Sequence, residues 1–278
     1  MRDTDIILTK DLHHVYPGGI VALRGVNVEI KENSITAIIG QNGSGKTTLV
    51  KHFNGLLKPT KGEVYVKGTE VTKWTWKNLI KCVGYVFQNP SHQIFCKTVQ
   101  EEIEFGLKNL GYEKSEIKRR VEEVMEKFGL KQFKYESPFN LSFPLKKLVS
   151  IASIYAMDPE VLILDEPTTG QDYFGVSLIK DLVLELKKEG RTIIVVSHDM
   201  EFVAETADEV IVIHQGLVKG KGTPKQIFTN IPLLKETKLM SPQITRLAQM
   251  FKSELIPKDV LTVSQMYTVI REILSTRQ

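Results

Sequence analysis

Residues 34–48 read SITAIIGQNGSGKTT. Residues 34–40 form a nearly continuous apolar run, which is typical of a strand buried on both faces of a sheet. Residues 40–47 match the pattern G-x-x-x-x-G-K-[ST], and residues with helical spacing follow. A buried strand, a glycine-rich loop and a helix in this order predict a phosphate-binding loop. The alternative is a glycine-rich turn with a chance lysine.

The predicted loop has the chemistry that a nucleoside triphosphate requires. Its glycines allow the backbone to wrap closely, so that successive N–H groups point at phosphate oxygens. The N-terminus of the following helix adds positive potential. Lys46 can reach the β- and γ-phosphates, and Thr47 can ligate Mg²⁺. The residues predicted to bind ATP or ADP here are Gly40, Asn42, Gly43, Ser44, Gly45, Lys46, Thr47 and Thr48.

A pair of acids ends another predicted strand. Residues 161–167 read VLILDEP, in which four apolar residues lead to Asp165 and Glu166. Ligands of α/β sheets bind at the carboxyl ends of the strands. Asp165 is therefore predicted to hold Mg²⁺, directly or through water, and Glu166 to polarise the water that attacks the γ-phosphate. Two surface acids at a strand end are the alternative.

The order of predicted elements indicates an α/β fold of the P-loop NTPase (RecA-like) type, with a parallel sheet at its core. Short strands separated by Gly and Pro in the first third predict an antiparallel β subdomain. Residues 90–157 are interpreted as an inserted helical subdomain, and residues 73–78, KWTWKN, as a surface loop. We expect residues 1–231 to form the nucleotide-binding domain and residues 232–278 a small C-terminal helical extension.

Composition argues against several classes of function. The 278 residues carry a net charge of +4 with many charges of both signs, which does not favour nucleic-acid binding. No apolar run approaches the ~18–20 residues that span a bilayer. Residues 1–10 lack the apolar centre of a signal peptide. Two cysteines, Cys82 and Cys96, are too few for a disulfide framework and indicate a reducing cytosol.

At these motifs the chain resembles the nucleotide-binding subunits of ATP-binding cassette (ABC) transporters, over about residues 5–230. Tyr16, in HVYPGG, is similar to the aromatic residue that stacks on adenine. Gln88, in VFQNP, resembles the Q-loop glutamine, which approaches Mg²⁺ and the attacking water and senses the membrane partner. His198, in VVSHDM, resembles the switch histidine near the γ-phosphate, and Asp172, in TTGQD, the D-loop aspartate at the dimer seam.

Two further stretches resemble one particular group of ABC transporter subunits. Residues 83–111 and the tail segment SPQITRLAQ are similar to the ATPase subunits of energy-coupling factor transporters, the vitamin and cobalt or nickel importers. This resemblance implies two ATPases on the cytoplasmic face of the membrane. They dock on an integral scaffold protein (T component), which holds a substrate-binding membrane protein (S component). Phe87, Ile94 and Phe95 are predicted to line the groove for the scaffold's cytosolic helices, or else to pack in the core.

One motif of the family is altered. Residues 141–145, LSFPL, stand where the resemblance implies Leu-Ser-Gly-Gly-Gln, a signature whose amides face the γ-phosphate held by the other subunit. Leu141 and Ser142 remain. Phe143 places a ring where backbone must approach phosphate, Pro144 has no N–H to donate, and Leu145 replaces an amide side chain. We therefore expect a heterodimer in which a second, non-identical ATPase supplies an intact signature, while the site facing LSFPL turns over slowly.

Other functions fit the same residues. The chain can be the ATPase of another ABC system, such as an exporter or a soluble protein acting on ribosomes or DNA. It can instead be a nucleotide-gated structural partner that binds ATP, dimerises and barely hydrolyses it, an interpretation that Glu166 disfavours. A homodimer with two poor sites is also open. The transported substrate binds a different subunit, so this sequence does not name it.

Overall fold

Two β-sheets and the helices around them make up the part of the chain that the computed structural model describes, residues 5–252 and 255–275. The strands are β1 (Asp5–Val15), β2 (Val21–Val26), β3 (Glu29–Lys31), β4 (Ile35–Ile39), β5 (Lys61–Val66), β6 (Thr69–Glu70), β7 (Val83–Val86), β8 (Val161–Asp165), β9 (Thr192–Val196), β10 (Glu209–His214) and β11 (Leu217–Gly222). The helices are α1 (Lys46–Phe53), α2 (Trp76–Cys82), α3 (Val99–Leu110), α4 (Lys114–Lys127), α5 (Phe143–Tyr155), α6 (Tyr173–Lys188), α7 (Met200–Thr206), α8 (Pro224–Phe228), α9 (Ile231–Thr237), α10 (Gln243–Met250) and α11 (Val263–Ser275).

The larger sheet has the strand order β11-β10-β4-β9-β8-β7. All of its strands except β11 run parallel, and β4, β8 and β9 are buried at every position. Because the carboxyl ends of parallel strands meet at one edge, the loops after β4, β8 and β9 come together there. These loops carry the predicted phosphate loop, the acidic pair and His198. The predicted parallel core is confirmed.

The smaller sheet is antiparallel, with the order β2-β1-β5-β6 and with β3 paired to β1. Alternate residues of β8 point into two different core clusters. Ile163 joins the cluster that contains Ile7 of the smaller sheet, whereas Leu162 and Leu164 join the cluster built from α3, α4 and α5. The central sheet is therefore covered by the antiparallel sheet on one face and by the inserted helices on the other.

Residues 73–78 do not form the surface loop that the sequence suggests, because helix α2 begins at Trp76. Thr75 is its N-cap, and the Thr75 hydroxyl accepts a hydrogen bond from the Asn78 N–H at 3.4 Å. Leu79 and Cys82 bury the inner face of the helix in the core. A helix of this length has little stability of its own, so its packing on the core rather than its sequence pattern determines it.

The C-terminal part of the chain contains α10 and α11, near the two helices that the sequence predicts over residues 242–255 and 262–275. They share a small separate cluster around Ala248, Ile256, Val260 and Met266. Residues 253–254 of the first predicted helix lie outside the described residues, as do residues 1–4 and 276–278 of the expected domains. Helices α8 and α9 are not predicted from the sequence. None of the helices in the described ranges is long and apolar enough to cross a bilayer.

Candidate active site

Glycine determines the shape of the loop between β4 and α1. A Cβ on Gly40 would lie 2.2 Å from the Ile213 carbonyl oxygen, and one on Gly45 would lie 2.6 Å from that of Ala22, so neither position accepts a side chain. Gly43 has a φ of +76° and faces open space. The backbone at Gly43 is thus accessible to a ligand in a conformation that glycine adopts readily.

Lys46 folds back over the loop that precedes it. Its Nζ donates to the carbonyl oxygens of Gly40 at 2.8 Å and of Gln41 at 3.1 Å. Burial lowers the pKa of the Lys46 ammonium, and the two carboxylates at the end of β8 oppose that shift. The buried Ser44 hydroxyl has no hydrogen-bond partner within the described chain, and Asn42 is exposed on the loop. Backbone amides, an unpartnered hydroxyl and an ammonium at one open loop fit the phosphates of a nucleotide.

Asp165 accepts hydrogen bonds from two hydroxyl groups at the carboxyl end of β8. Thr47 Oγ1 lies 3.0 Å from its Oδ2 and 3.3 Å from its Oδ1, and the Tyr85 hydroxyl donates to Oδ2 at 2.7 Å. Burial, together with the Asp165 charge, raises the pKa of Tyr85, so its phenol remains a donor. Tyr85, which β7 places next to β8, is not predicted from the sequence. The adjacent oxygens of Thr47 and Asp165 are ligands of the kind that Mg²⁺ prefers.

Glu166 has an unusual backbone conformation for a non-glycine residue, with a φ of +48°. Its N–H donates to the Val196 carbonyl oxygen at 2.8 Å, which ties it to the end of β9. Its Oε2 lies 2.7 Å from His198 Nδ1 and accepts from the His198 N–H at 3.3 Å. Burial raises the pKa of Glu166, while His198 and Lys46 oppose that rise. A buried carboxylate of raised basicity beside a histidine suits proton transfer.

A chain of polar contacts connects Tyr16 to the helix that follows the phosphate loop. The half-buried Tyr16 hydroxyl lies 3.0 Å from Thr48 Oγ1. His52 Nδ1 lies 2.7 Å from the Thr48 carbonyl oxygen, and its Nε2 lies 3.1 Å from His14 Nδ1. Because Nδ1 of His52 must donate to the carbonyl, its Nε2 accepts from His14. Burial lowers the pKa of His52 to about 4, so this imidazole is neutral at physiological pH.

Gln88 follows β7 with an exposed side chain, and a buried lysine holds the main chain around it. Lys147 Nζ donates to the carbonyl oxygens of Gln88 at 2.8 Å, Phe87 at 3.0 Å and Asp165 at 3.3 Å. Burial lowers the pKa of Lys147 to about 8, opposed by the Asp165 and Glu166 charges. Lys147 is not predicted from the sequence. The available signal was its position directly before the largely apolar residues 148–156.

Helix α5 begins within residues 141–145, at Phe143. Ser142 is the N-cap and Pro144 lies in the first turn, although the Ser142 side chain makes no capping hydrogen bond in this part of the structure. The Phe143 ring packs closely on Gly170 of the same chain. A Cβ added to Gly170 would lie only 2.7 Å from Phe143 Cε1. Leu141 is buried, and Leu145 packs against the helical core cluster. The helix start is therefore intact, and the ring occupies space beside its own 168–172 loop.

A groove of about 710 Å³ lies beside the segment that follows β7. Phe87 and Phe95 line it, together with both tryptophans of the chain. The Phe95 ring meets Phe105 edge to face, with centroids 4.6 Å apart. Ile94 is only 4% exposed and belongs to the core cluster. Core packing, the alternative weighed from the sequence, is thus correct for Ile94 and in part for Phe87, which packs against the core and also lines the groove. Phe95 faces the groove.

The chain is similar to ATP-binding proteins of transporters. Residues 23–169 match a family model described as ABC transporter. The energy-coupling factor transporter ATP-binding protein EcfA of Methanocaldococcus jannaschii is 43% identical over 256 residues, which is 91% of either chain. The protein of the same name from Methanoculleus marisnigri is 43% identical over 256 residues, which is 92% of either chain.

Solved structures agree with the sequence comparison. The structure of cbiO1 from Clostridium perfringens, described as part of the ABC transporter complex cbiONQ, superimposes with a TM-score of 0.76 at 37% identity. It covers 89% of this chain and 100% of its own. A dimeric ATP-binding cassette in a post-hydrolysis state, bound to ADP and phosphate, gives a TM-score of 0.72 at 29% identity, with 78% of this chain and 98% of that chain covered. The P-loop NTPase fold predicted from residues 34–48 is confirmed.

Proposed function

This chain belongs to the ABC transporter family and is an ATP-hydrolysing transport ATPase of the energy-coupling factor type, and from this premise we propose its place in a complex. The chain binds Mg–ATP at residues 40–48 and pairs head-to-tail with a second, non-identical ATPase. That partner carries an intact signature, which completes the nucleotide site of this chain. Hydrolysis drives uptake of a micronutrient, either a vitamin or cobalt or nickel.

An asymmetry between two surfaces of the chain carries the proposal. On one surface Lys46, Thr47, Asp165 and Glu166 lie at adjoining strand ends with contacts suited to a nucleotide. On the other, residues 141–145 offer a phenylalanine ring and a proline in place of two glycines. Loss of a single preorganised donor to developing charge typically raises a barrier by ~3–4 kcal/mol. A chain complete on one surface and deficient on the other requires an unlike partner for full turnover.

Five side chains act at the nucleotide in the proposed reaction. Lys46 exchanges its two loop carbonyls for β- and γ-phosphate oxygens. Glu166 accepts a proton from the attacking water, and its raised pKa makes it a better base than an exposed carboxylate. His198 orients that carboxylate and stands next to the γ-phosphate, and Gln88 helps to place the water. Tyr16 stacks on adenine.

Thr47, Asp165 and Gln88 would hold Mg²⁺, which neutralises charge on the phosphates when it is bound. The oxygens of Thr47 and Asp165 are already within hydrogen-bonding distance of each other. Tyr85 fixes the orientation of the Asp165 carboxylate through its own hydrogen bond. The exposed Gln88 side chain adds an amide oxygen from the neighbouring strand end.

The groove beside β7 is proposed to receive the cytosolic helices of an integral scaffold protein (T component) that also holds a substrate-binding membrane protein (S component). Exposed large apolar side chains there support this role, since Phe95 is 56% and Trp76 65% exposed. The names of the relatives, which refer to transporters, support it as well. The chain then works at the cytoplasmic face of the cell membrane.

We also propose that the chain divides into a nucleotide-binding domain, residues 1–231 with a helical subdomain at 90–157, and a C-terminal extension, residues 232–278. The separate cluster of α10 and α11 supports the extension. Helix α9 connects the two parts, since Leu233 packs in the core with Phe228.

ATP turnover by the full chain, alone and mixed with candidate partner ATPases, tests the proposal. Weak turnover alone that rises severalfold with a partner carrying an intact Gly-Gly signature is the expected result. In the mixed pair, Glu166→Gln should remove most of the turnover, and the same change in the partner's catalytic glutamate should remove little. Full activity of the chain alone would overturn the heterodimer. Unchanged turnover with Glu166→Gln would favour the structural-partner function.

A further inference from the structure

Lys147 is a fully buried lysine that lies between three segments of the nucleotide site. It is 0% exposed, although it belongs to a residue type that is almost never buried without a partner. Its ammonium reaches the carbonyl oxygens of Phe87, Gln88 and Asp165, all within 3.3 Å. Phe87 and Gln88 follow β7, Asp165 ends β8, and Lys147 itself is in α5.

The three carbonyls account for the three N–H donors of the ammonium. No carboxylate forms an ion pair with Lys147 among the described residues, and the Asp165 and Glu166 charges act on it through space. A buried ammonium that loses its acceptors is strongly destabilised. The lysine is therefore stable in this position only while the ends of β7 and β8 and helix α5 remain together.

A second side chain joins the same segments. Gln93 Oε1 accepts from the Phe87 N–H at 3.1 Å. Its Nε2 donates to the Ser150 carbonyl oxygen at 2.7 Å and lies 3.1 Å from Ser153 Oγ. Both main-chain polar groups of Phe87 are thus bound, the carbonyl directly by Lys147 and the N–H by Gln93, which is itself held to α5. The main chain next to Gln88 is consequently held against α5 by hydrogen bonds to protein groups and not to water.

We propose that Lys147 is a positioning residue for the ATPase reaction, which holds the main chain of Gln88 and Asp165 in fixed register with helix α5. The inference rests on the proposed roles of Gln88, Asp165 and Glu166 at the nucleotide. Gln88 has an exposed side chain, so its main chain determines where its amide can reach. Displacement of a reacting group by about 1 Å can cost ~100-fold in rate.

The test compares three full-length variants in the assembled ATPase pair. Lys147→Met keeps the length and the apolar stem of the side chain but removes its charge and its N–H donors. Lys147→Arg keeps the charge and the donors. Lys146→Met, at the half-buried preceding lysine, is the matched control. Turnover as a function of ATP gives kcat and KM, titration with Mg²⁺ and the non-hydrolysable analogue AMP-PNP gives affinity, and hydrogen exchange reports on residues 86–95.

For Lys147→Met we expect kcat to fall roughly 10- to 100-fold while analogue affinity stays within about threefold of wild type, because the phosphate loop is untouched. Exchange at residues 86–95 should accelerate. Lys147→Arg should restore part of kcat, and Lys146→Met should behave as wild type. Unchanged kcat with Lys147→Met would overturn the inference. So would a parallel loss of kcat, affinity and melting temperature, which would indicate a role in folding alone.

The exchange measurement does not depend on turnover. If no partner activates even the wild-type chain, the proposed heterodimer fails, yet exchange still decides whether Lys147 holds the segment after β7. Should Lys147→Met not fold, Lys147→Gln and Lys147→Arg give the same comparison, with faster exchange and lower kcat expected for Gln than for Arg. Equal behaviour of these two variants and wild type would contradict the positioning role.

Discussion

Nδ1 of His198 lies 2.7 Å from Oε2 of Glu166. The contact joins residues that follow two different strands, β8 and β9, and it orients a carboxylate whose backbone is in the left-handed region. A non-glycine residue in that region typically costs about 1–3 kcal/mol, and surrounding contacts must hold it there. The Glu166 N–H, bound to Val196, and the Glu166 carboxylate, bound to His198, supply those contacts.

Replacement of Glu166 by glutamine should separate binding from hydrolysis. Glutamine keeps the size and the contact with His198 but cannot take a proton. We expect turnover of the assembled pair to fall by about 100- to 10,000-fold, with the affinity for Mg–ATP retained. Isothermal titration and phosphate release measure the two quantities. Glu123→Gln, on the exposed face of α4, serves as the control, and residual turnover near the wild-type level would exclude Glu166 as the base.

His198 should set the pH at which Glu166 becomes active. Burial raises the pKa of Glu166, and His198 lowers it through its charge and its hydrogen bonds. Without His198 the pKa of Glu166 rises further, so the carboxylate is ionised only at higher pH. The acid limb of the kcat/KM profile should therefore move to higher pH in His198→Ala, and less in His198→Gln, which can still donate. If the acid limb stays at the same pH in both variants, a group other than Glu166 titrates there.

Local patterns predict the centre of the site but not its supports. The phosphate loop, Asp165 and Glu166 are each readable because a strand end and its loop lie within a few residues of sequence. Tyr85 meets Asp165 across 80 residues, and Lys147 meets Gln88 across 59. Such contacts depend on which strands become neighbours in the sheet and on which residues of β7 point to the same face as Asp165. A short sequence pattern contains neither piece of information. Helix α2 is missed for a related reason, since packing stabilises it.

His52 should make the chain less stable in mild acid. Its pKa is lowered from 6.5 to about 4 by burial, and the charge of a protonated His14 acts in the same direction. Between these values the unfolded chain binds more protons than the folded one, so stability falls as pH drops below 6.5. From pH 7.5 to 5 the loss is about 2 kcal/mol from this group.

Urea unfolding at the two pH values measures the effect of His52. At pH 7.5 the His52→Gln variant should have a lower free energy of unfolding than wild type, because it loses contacts with Thr48 and His14. Its free energy of unfolding should, however, fall less towards pH 5. His13→Gln, in the same strand as His14, should keep the wild-type pH dependence. An identical pH dependence in wild type and His52→Gln would mean that the pKa of His52 is the same in the folded and the unfolded chain, which would contradict the lowered pKa.

The packing of Phe143 on Gly170 predicts a coupling between the altered signature and the loop before Asp172. Gly170 has a φ of +75°, and a Cβ there would meet Phe143 Cε1 at 2.7 Å. Gly170→Ala should thus cost about 1–3 kcal/mol of unfolding free energy from backbone strain, plus the displacement of the ring. In a Phe143→Ala background the second part disappears, so the two changes should be non-additive by about 0.5–1 kcal/mol.

A double-mutant cycle measures this coupling. Urea unfolding gives the free energy of unfolding of wild type, of both single variants and of the double variant. Coupling of the expected size would mean that the ring stays on its own 168–172 loop in solution, next to the residues that would otherwise approach a partner's nucleotide. An additive cycle would mean that the ring leaves Gly170 freely. The surface of residues 141–145 could then open to the partner, and the missing amide of Pro144 alone would have to explain slow turnover at that site.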